Sequence, residues 1–233
     1  MGTKGRILVL MVAMRPRQWT KNLAIFVGLV FAQQLFTFAS FERAGLAFVA
    51  FCLASSFIYL LNDLLDLEND RHHPTKRNLF IIASGFVLRI LAGAVVVPVS
   101  ISPWLYLVTI LLSLFLALNK RRHELVLLED RASNHRQILK EYSLPMLDQM
   151  ITIVTAATIM SYSLYTFQGP TGNHRLMITI PLVLYGMFRY LYLVHMRMEG
   201  GSPDEVLLRD RHMLGTVVLC VAIVIFVLYI LPQ

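Results

Sequence analysis

Charged side chains are scarce in this sequence. Aspartate, glutamate, lysine and arginine make up 15% of its 233 residues, whereas an average soluble domain carries about 25%. A chain of this length would need more polar side chains than that to cover a water-facing surface, which excludes an ordinary soluble enzyme. With only 2 cysteines it is not a disulfide scaffold, and with 57% hydrophobic residues it is not a disordered chain.

Long apolar runs account for most of the chain, and its mean hydropathy is +0.64. Because a membrane-spanning helix needs about 20 apolar residues, the sequence predicts an all-α, polytopic helical membrane protein of about seven spans. We expect one domain over residues 1–233, with residues 1–22 as a segment at the cytoplasmic membrane surface. The runs of spanning length are 23–41, 44–64, 79–101, 103–119, 145–167, 176–195 and 213–231.

The placement of lysine and arginine predicts the orientation in the membrane. These residues gather before the first run and in the loops after the second, fourth and sixth, while the alternate loops hold only Arg43 and Arg175. Cytoplasmic loops carry the excess of positive charge, so we expect a cytoplasmic N-terminus and a C-terminus outside. The net charge of +7 therefore marks topology, and no nucleic-acid partner is expected.

A cluster of acidic residues follows the second apolar run, in the sequence Asn-Asp-Leu-Leu-Asp-Leu-Glu-Asn-Asp. On a continuing helix Asp63, Asp66 and Asp70 share one face, and Asn62 lies beside them. Clustered carboxylates repel one another unless a cation lies among them, and Mg²⁺ is typically held by one or two carboxylates plus substrate phosphates. We therefore predict a catalytic magnesium site with the three aspartates as ligands and Asn62 in support. The alternative is an ordinary solvated helix end.

Basic residues follow the acidic cluster and recur in the loop after the fourth run. The first group is Arg-His-His-Pro-Thr-Lys-Arg over 71–77, and the second is Lys-Arg-Arg-His-Glu over 120–124. Cations beside a metal site favour a polyanionic substrate, although the positive-inside rule alone would also place them here. The adjacent histidines His72 and His73 point in different directions and have no third ligand spaced to join them, so no transition-metal site is expected.

The run N-D-x-x-D-x-x-x-D resembles the first aspartate-rich motif of the UbiA-type intramembrane prenyltransferase superfamily, whose members are all-helical with nine spans around a central cavity. Several further blocks resemble the decaprenyl-phosphate phosphoribosyltransferase branch: RPRQWTKN over 15–22, ASGFVLR over 83–89, KRRHEL over 120–125, EYS over 141–143 and LDQ over 147–149. The family pattern has two further spans near Asn78, where this chain runs straight on. The resemblance therefore implies a form that lacks two internal spans.

The resemblance implies an enzyme of the transferase class in the bacterial inner membrane. Its expected reaction is Mg²⁺-dependent transfer of a 5-phosphoribosyl group from phosphoribosyl diphosphate to a polyprenyl (decaprenyl-type) phosphate, with release of pyrophosphate, for cell-envelope polysaccharide precursors. Membrane lipids are further partners, and a homo-oligomer is left open. Cations are expected to bind phosphates, and two other residues to position ribose hydroxyls. The substrate-binding candidates are Lys21, Arg77, Lys120, Arg121, Arg122, Glu124 and Tyr142.

Two rival functions remain at this point. One is a UbiA-type aromatic or quinone-precursor polyprenyltransferase, which the basic character of the loop over 120–124 disfavours because such enzymes generally carry a second aspartate-rich motif. The other is a non-enzymatic transport or assembly protein. Its expected sign is ionisable residues paired within several spans, and Arg89 is the clear case in this sequence. That arginine either extends to the interface or binds a phosphate or a carboxylate inside the protein.

Overall fold

The structure is a computed structural model that describes residues 14, 16–69, 88–89, 91–93, 95–96, 102–129, 142–168, 174–198 and 203–231. Within its helices, the side chains of residues 17, 59, 61–69, 128–129 and 204 are not described. Over these ranges the chain consists of helices and turns, with no strand. The predicted all-α fold is confirmed.

Five helices in the described ranges are long and apolar enough to cross a membrane: Phe38–Ile58, Pro103–Leu127, Leu144–Phe167, Arg175–Met196 and Arg211–Ile230. They coincide with five of the seven predicted runs, and they support a multi-pass membrane protein. Most of the predicted run over 79–101 lies outside the described residues, although those of 88–96 that are described are helical.

The predicted span over 23–41 is wrong as a single helix. A 3-10 helix, Pro16–Ala24, leads into α1, Ile25–Phe31, and α2 begins only at Phe38 and continues to Asn69. The turn between them places Gln33 at a φ of 57°, in the left-handed region that ends helices. The Ser40 hydroxyl donates a 2.6 Å hydrogen bond to Gln34 Oε1, so the Gln34 side chain has a partner across the turn.

The described residues form two compact units. In the first, the 3-10 helix and α1 pack against α2. Trp19 Nε1 donates to Ser56 Oγ at 3.0 Å, and the Ser56 hydroxyl in turn donates to the Met14 carbonyl at 3.0 Å. Ile25 and Leu29 of α1 are fully buried. The 3-10 helix is therefore held against α2 by the hydrogen bond of Trp19, and α1 by burial of its apolar side chains.

In the first unit the backbone at Gly93 lies close to the backbone of α1 at Ile25. A Cβ added there would lie 3.0 Å from the carbonyl carbon of Ile25 and nearer still to its oxygen. Backbone atoms cannot turn aside as a side chain can, so the helical segment around Gly93 can contact α1 this closely only without a side chain.

We expect Gly93→Ala to lower the melting temperature of the purified protein by about 5 °C, because overpacking costs about 1–3 kcal/mol and each kcal/mol is about 2–4 °C in a chain of this size. Gly45→Ala is the matched control, since a Cβ there would meet nothing within 4 Å. Thermal unfolding in detergent measures both variants. Equal melting temperatures for the two would contradict the close approach.

The second unit contains α3 (Pro103–Glu129), α4 (Leu144–Phe167), a 3-10 helix (Arg175–Thr179), α5 (Ile180–Met196), α6 (Pro203–Arg209) and α7 (Arg211–Ile225), which ends in a π-helical turn, Phe226–Ile230. Helices α3 and α4 are antiparallel neighbours, because Trp104 at the start of α3 donates to Gln168 just beyond α4 at 2.5 Å, while Arg122 near the end of α3 contacts Asp148 near the start of α4. A core of large apolar side chains joins α3, α4, α5 and α6.

Hydroxyl groups inside these apolar helices are satisfied by their own backbone. Thr109, Ser113, Thr155 and Thr158 each donate to the carbonyl four residues earlier, at 2.7–2.8 Å. Such bonds remove the cost of placing a hydroxyl away from water. These polar residues therefore need no partner on another helix and do not interrupt the membrane-length helices.

Candidate functional site

The acidic motif lies at the end of α2. The helix continues to Asn69, which confirms the predicted helical continuation for Asn62, Asp63 and Asp66 and puts positions 63 and 66 on one face. Two carboxylates on one face of a helix end are a donor set that fits Mg²⁺. The side chains of these three residues lie outside the described residues, as do Asp70 and Arg77 entirely.

Among the side chains that the structure does describe, no group of three His, Cys, Asp or Glu residues is placed to hold a metal ion. The predicted magnesium ligands are not among those side chains. The metal site therefore remains a prediction that rests on the motif and on the helical spacing of its backbone.

Lys21 belongs to the first unit, in the 3-10 helix Pro16–Ala24. Its side chain is half-buried, and its Nζ donates a hydrogen bond to Gln18 Oε1. The segment is anchored on α2 by Trp19, as described above, so Lys21 is carried by an ordered part of the chain. Its predicted contact with a substrate phosphate remains a prediction.

Arg89 has a buried partner. Its Nε donates to Asn22 Oδ1 at 2.6 Å, and Asn22, which is fully buried, donates through Nδ2 to Cys52 Sγ at 3.3 Å. Arg89 thus has a partner inside the protein, as one of its two interpretations expects, although this partner is an amide rather than a phosphate or a carboxylate. The contact also joins two of the blocks that carry the resemblance, RPRQWTKN and ASGFVLR, at their last residues.

The predicted basic site lies near the end of α3, in the second unit. Lys120 is half-buried, and Arg121 Nη1 lies 3.4 Å from Glu124 Oε2. A partly exposed pair of this kind contributes little to stability, so both side chains can take up a ligand at small cost. Tyr142, just before α4, is half-buried and packs against the core of this unit. The predicted roles of these four residues stay predictions.

Arg122 is held more tightly than Arg121. Its Nε donates to Asp148 Oδ1 at 2.6 Å, and its side chain is only 14% exposed. The same carboxylate oxygen lies 3.4 Å from His195 Nε2 on α5. The ends of three helices, α3, α4 and α5, thus meet at one carboxylate, and we call Arg122, Asp148 and His195 the three-helix cluster.

Sequence reasoning quoted Asp148 within the LDQ block but gave it no role. A signal was present, because α3 and α4 are antiparallel and the end of one must lie beside the start of the next. A cation three residues into a basic run and a carboxylate early in the following helix are then natural partners. The residues are 26 positions apart, so only the pairing of helix ends, and no local pattern, connects them.

A second ion pair ties α5 to the start of α7. Arg189 Nη2 donates to Asp210 Oδ2 at 2.7 Å and Nε to Oδ1 at 3.2 Å, and the guanidinium carbon lies 5.2 Å from the ring centre of Tyr192. Asp210 also caps α7, accepting the Met213 N–H at 2.8 Å. The hydrogen bonds from Arg189 lower the pKa of the Asp210 carboxyl from 3.8 to about 2. Sequence reasoning did not identify this pair, which is 21 positions apart.

Comparison with known proteins gives whole-chain relatives. The decaprenyl-phosphate phosphoribosyltransferase of Corynebacterium glutamicum is 27% identical, over 95% of this chain and 87% of its own. The enzyme of the same name from Mycolicibacterium smegmatis is 27% identical, over 89% of this chain and 88% of its own. The one from Mycobacterium tuberculosis is 26% identical, over 85% of this chain and 87% of its own. These relatives are named as transferases, in agreement with the predicted enzyme class. No family model matches the chain.

The match with the Corynebacterium protein also bears on the predicted loss of two spans. It extends over 290 residues, which is more than the 233 residues of this chain, so the relative has stretches that this chain lacks. Two spans and their loops would occupy about this length, and the loss of two spans stays a prediction. The chain is thus similar along nearly its whole length to decaprenyl-phosphate phosphoribosyltransferases, and the resemblance predicted from its motifs is confirmed.

Proposed function

We propose that this protein transfers a 5-phosphoribosyl group from phosphoribosyl diphosphate to a polyprenyl phosphate of the decaprenyl type, with release of pyrophosphate. The observation that carries the proposal is the match over 85–95% of the chain to relatives named for this activity. The acidic end of α2 and the basic end of α3 supply the two kinds of anion-binding chemistry that such substrates need. The product is a sugar-phosphate lipid suited to building cell-envelope polysaccharides.

The acidic motif suits the donor. A diphosphate bound through Mg²⁺ needs few protein ligands, since the metal takes substrate oxygens and water as well. Asp63, Asp66 and Asp70 are the proposed metal ligands, with Asn62 beside them. When bound there, Mg²⁺ supplies the positive charge that stabilises pyrophosphate as a leaving group.

The basic residues suit the phosphates of donor and acceptor. Departure of pyrophosphate leaves oxocarbenium character on the anomeric carbon of ribose, and an anionic lipid phosphate is already a nucleophile that needs no general base. The protein must therefore bind and orient the phosphate oxygens, which is the chemistry of guanidinium and ammonium groups. Glu124 and Tyr142 are proposed to position ribose hydroxyls. The phosphate ligands are proposed to be Lys21, Arg77, Lys120, Arg121 and Arg122.

The proposed orientation places both groups on the cytoplasmic side of the membrane. The positive-inside pattern supports it, as does the water-soluble nature of a phosphoribosyl donor. The exposed apolar side chains of the spanning helices, such as Phe57 and Val218, suit contact with lipid tails, and the isoprenoid chain of the acceptor would remain in that environment throughout the reaction.

Donor selectivity tests the proposal against its rivals. Purified protein is given decaprenyl phosphate, Mg²⁺ and radiolabelled phosphoribosyl diphosphate, and label in the lipid phase is counted with unlabelled competitors present. We expect unlabelled phosphoribosyl diphosphate to reduce the label and geranylgeranyl diphosphate to leave it unchanged. Transfer of a prenyl group to an aromatic acid would instead support the prenyltransferase alternative. Solute flux through protein-containing vesicles, without any transfer, would support a transporter.

A further inference from the structure

In the three-helix cluster a proposed phosphate ligand, Arg122, is paired with a carboxylate, which is unexpected for a residue that binds an anion. A phosphate ligand gains affinity from its positive charge, and a carboxylate 2.6 Å away offsets part of that charge. Yet Asp148 is the partner that Arg122 has in this structure. Because the Asp148 carboxylate weakens the attraction between Arg122 and an anionic substrate, we infer that it contributes to binding in another way.

The geometry of the contact shows what that contribution is. Asp148 takes the Nε–H of Arg122, and among the described residues no hydrogen bond to the two Nη groups is found. An arginine bound to phosphate uses pairs of N–H groups in a rigid, planar fork. Holding the fork at Nε fixes the plane of the guanidinium and leaves four N–H groups for a ligand.

The carboxylate also lies beside a side chain of a third helix. His195 Nδ1 lies 2.9 Å from the Leu191 carbonyl, which can only accept, so Nδ1 donates there and the ring is oriented by its own helix. Its Nε2 lies 3.4 Å from Asp148 Oδ1. This contact is attractive when the imidazole is protonated on both nitrogens, because a neutral ring with its proton on Nδ1 has only a lone pair on Nε2. Asp148 lies between a cation on α3 and an imidazole on α5, and its side chain is 43% exposed, so the hydrogen bond with Arg122 rather than burial sets its position.

We propose that Asp148 is a positioning residue, which orients Arg122 so that its Nη groups bind the phosphate monoester of a substrate. Both substrates of the proposed function carry such a group, the lipid phosphate and the 5-phosphate of the donor. The inference rests on the proposed function and extends it by assigning a role to a residue that touches neither substrate. Its effect passes through Arg122 alone.

The test compares Asp148→Ala, Asp148→Asn and Arg122→Ala by steady-state kinetics, with both substrates varied in turn. We expect Asp148→Ala to raise KM for one substrate about tenfold while kcat changes less than about threefold, because the loss falls on binding. Asn keeps an oxygen that can accept the Nε–H, so Asp148→Asn should recover most of the affinity. The substrate whose KM rises is the one whose phosphate Arg122 binds.

The double variant Arg122→Ala with Asp148→Ala decides whether the effect passes through the arginine. If it does, the double variant has the same KM as Arg122→Ala alone. Additive losses, or a KM for Asp148→Asn as high as that for Asp148→Ala, would overturn the positioning role. So would unchanged KM values in all variants, even if melting temperatures fell, since that result shows a purely structural contact. If the wild-type protein showed no transfer activity, the proposed function and this inference would both be refuted. If the wild type were active and only the variants behaved otherwise than expected, the inference alone would fail.

Discussion

Replacing Asp63 or Asp66 by alanine is expected to lower the rate of phosphoribosyl transfer by about 100-fold or more. Each variant removes one carboxylate from the proposed metal site, and loss of a group that stabilises developing charge costs about 10²–10³ in rate. Both positions lie on one face of helix α2, so we expect the two substitutions to lower the rate to a similar extent. The measurement is radiolabel transfer to the lipid phase at saturating Mg²⁺.

Glu42→Ala is the matched control for these variants. Glu42 is an exposed carboxylate on the same helix, near its first turn and far along the sequence from the motif. We expect its transfer rate to stay within about twofold of the wild type, because surface substitutions away from a site change little. Undiminished turnover in Asp63→Ala or in Asp66→Ala would refute a metal-binding role for that residue.

Breaking the ion pair between Arg189 and Asp210 is expected to lower the melting temperature by about 5 °C or more, because removal of one partner leaves an uncompensated charge in a buried place. Both substitutions of Asp210 leave the Arg189 charge, on a side chain that is 19% exposed, without this partner. Asp210→Asn removes the charge but keeps an oxygen that can cap α7, whereas Asp210→Ala removes both. The alanine variant should therefore melt about 2–4 °C below the asparagine variant, since a helix cap contributes about 1 kcal/mol.

The contribution of this pair depends on pH in a defined direction. The pKa of Asp210 is about 2 in the folded protein and 3.8 as its ordinary value, so the folded state binds its proton less readily. The resulting stability is fully present above about pH 4 and is lost as the pH falls towards 2. The difference in melting temperature between the wild type and Asp210→Asn should be constant from pH 8 to pH 5 and shrink below pH 4. A difference that grows on acidification would contradict the ion pair.

Much of the fold follows from the apolar runs, because a helix that crosses a membrane must be long and apolar. The ends of the helices follow less well. The run predicted to end at residue 119 belongs to a helix that continues to Glu129, since charges end a membrane-buried segment but do not end a helix. The break between α1 and α2 depends on the left-handed backbone of Gln33, which an apolar-run count cannot detect.

The features of the candidate site also fall into those that local sequence spacing predicts and those that it does not. Local spacing predicts the acidic face of α2, and the helical backbone at Asp63 and Asp66 agrees with it. The contact between Arg121 and Glu124 is of the short-range kind that spacing favours. The pairs Arg122–Asp148, Arg189–Asp210 and Arg89–Asn22 join residues at least 21 positions apart. They depend on which helix ends meet, and that is set by packing of the whole unit rather than by a motif.

Transfer by the purified 233-residue protein tests the central claim most directly. The protein is incubated with radiolabelled phosphoribosyl diphosphate and decaprenyl phosphate, with Mg²⁺ or with excess EDTA, and label in the lipid phase is counted against released pyrophosphate. The proposed function predicts label and pyrophosphate in equal amounts with Mg²⁺, and neither with EDTA. Pyrophosphate release without lipid label, or no turnover with Mg²⁺ in protein shown to be folded by its melting transition, would contradict it.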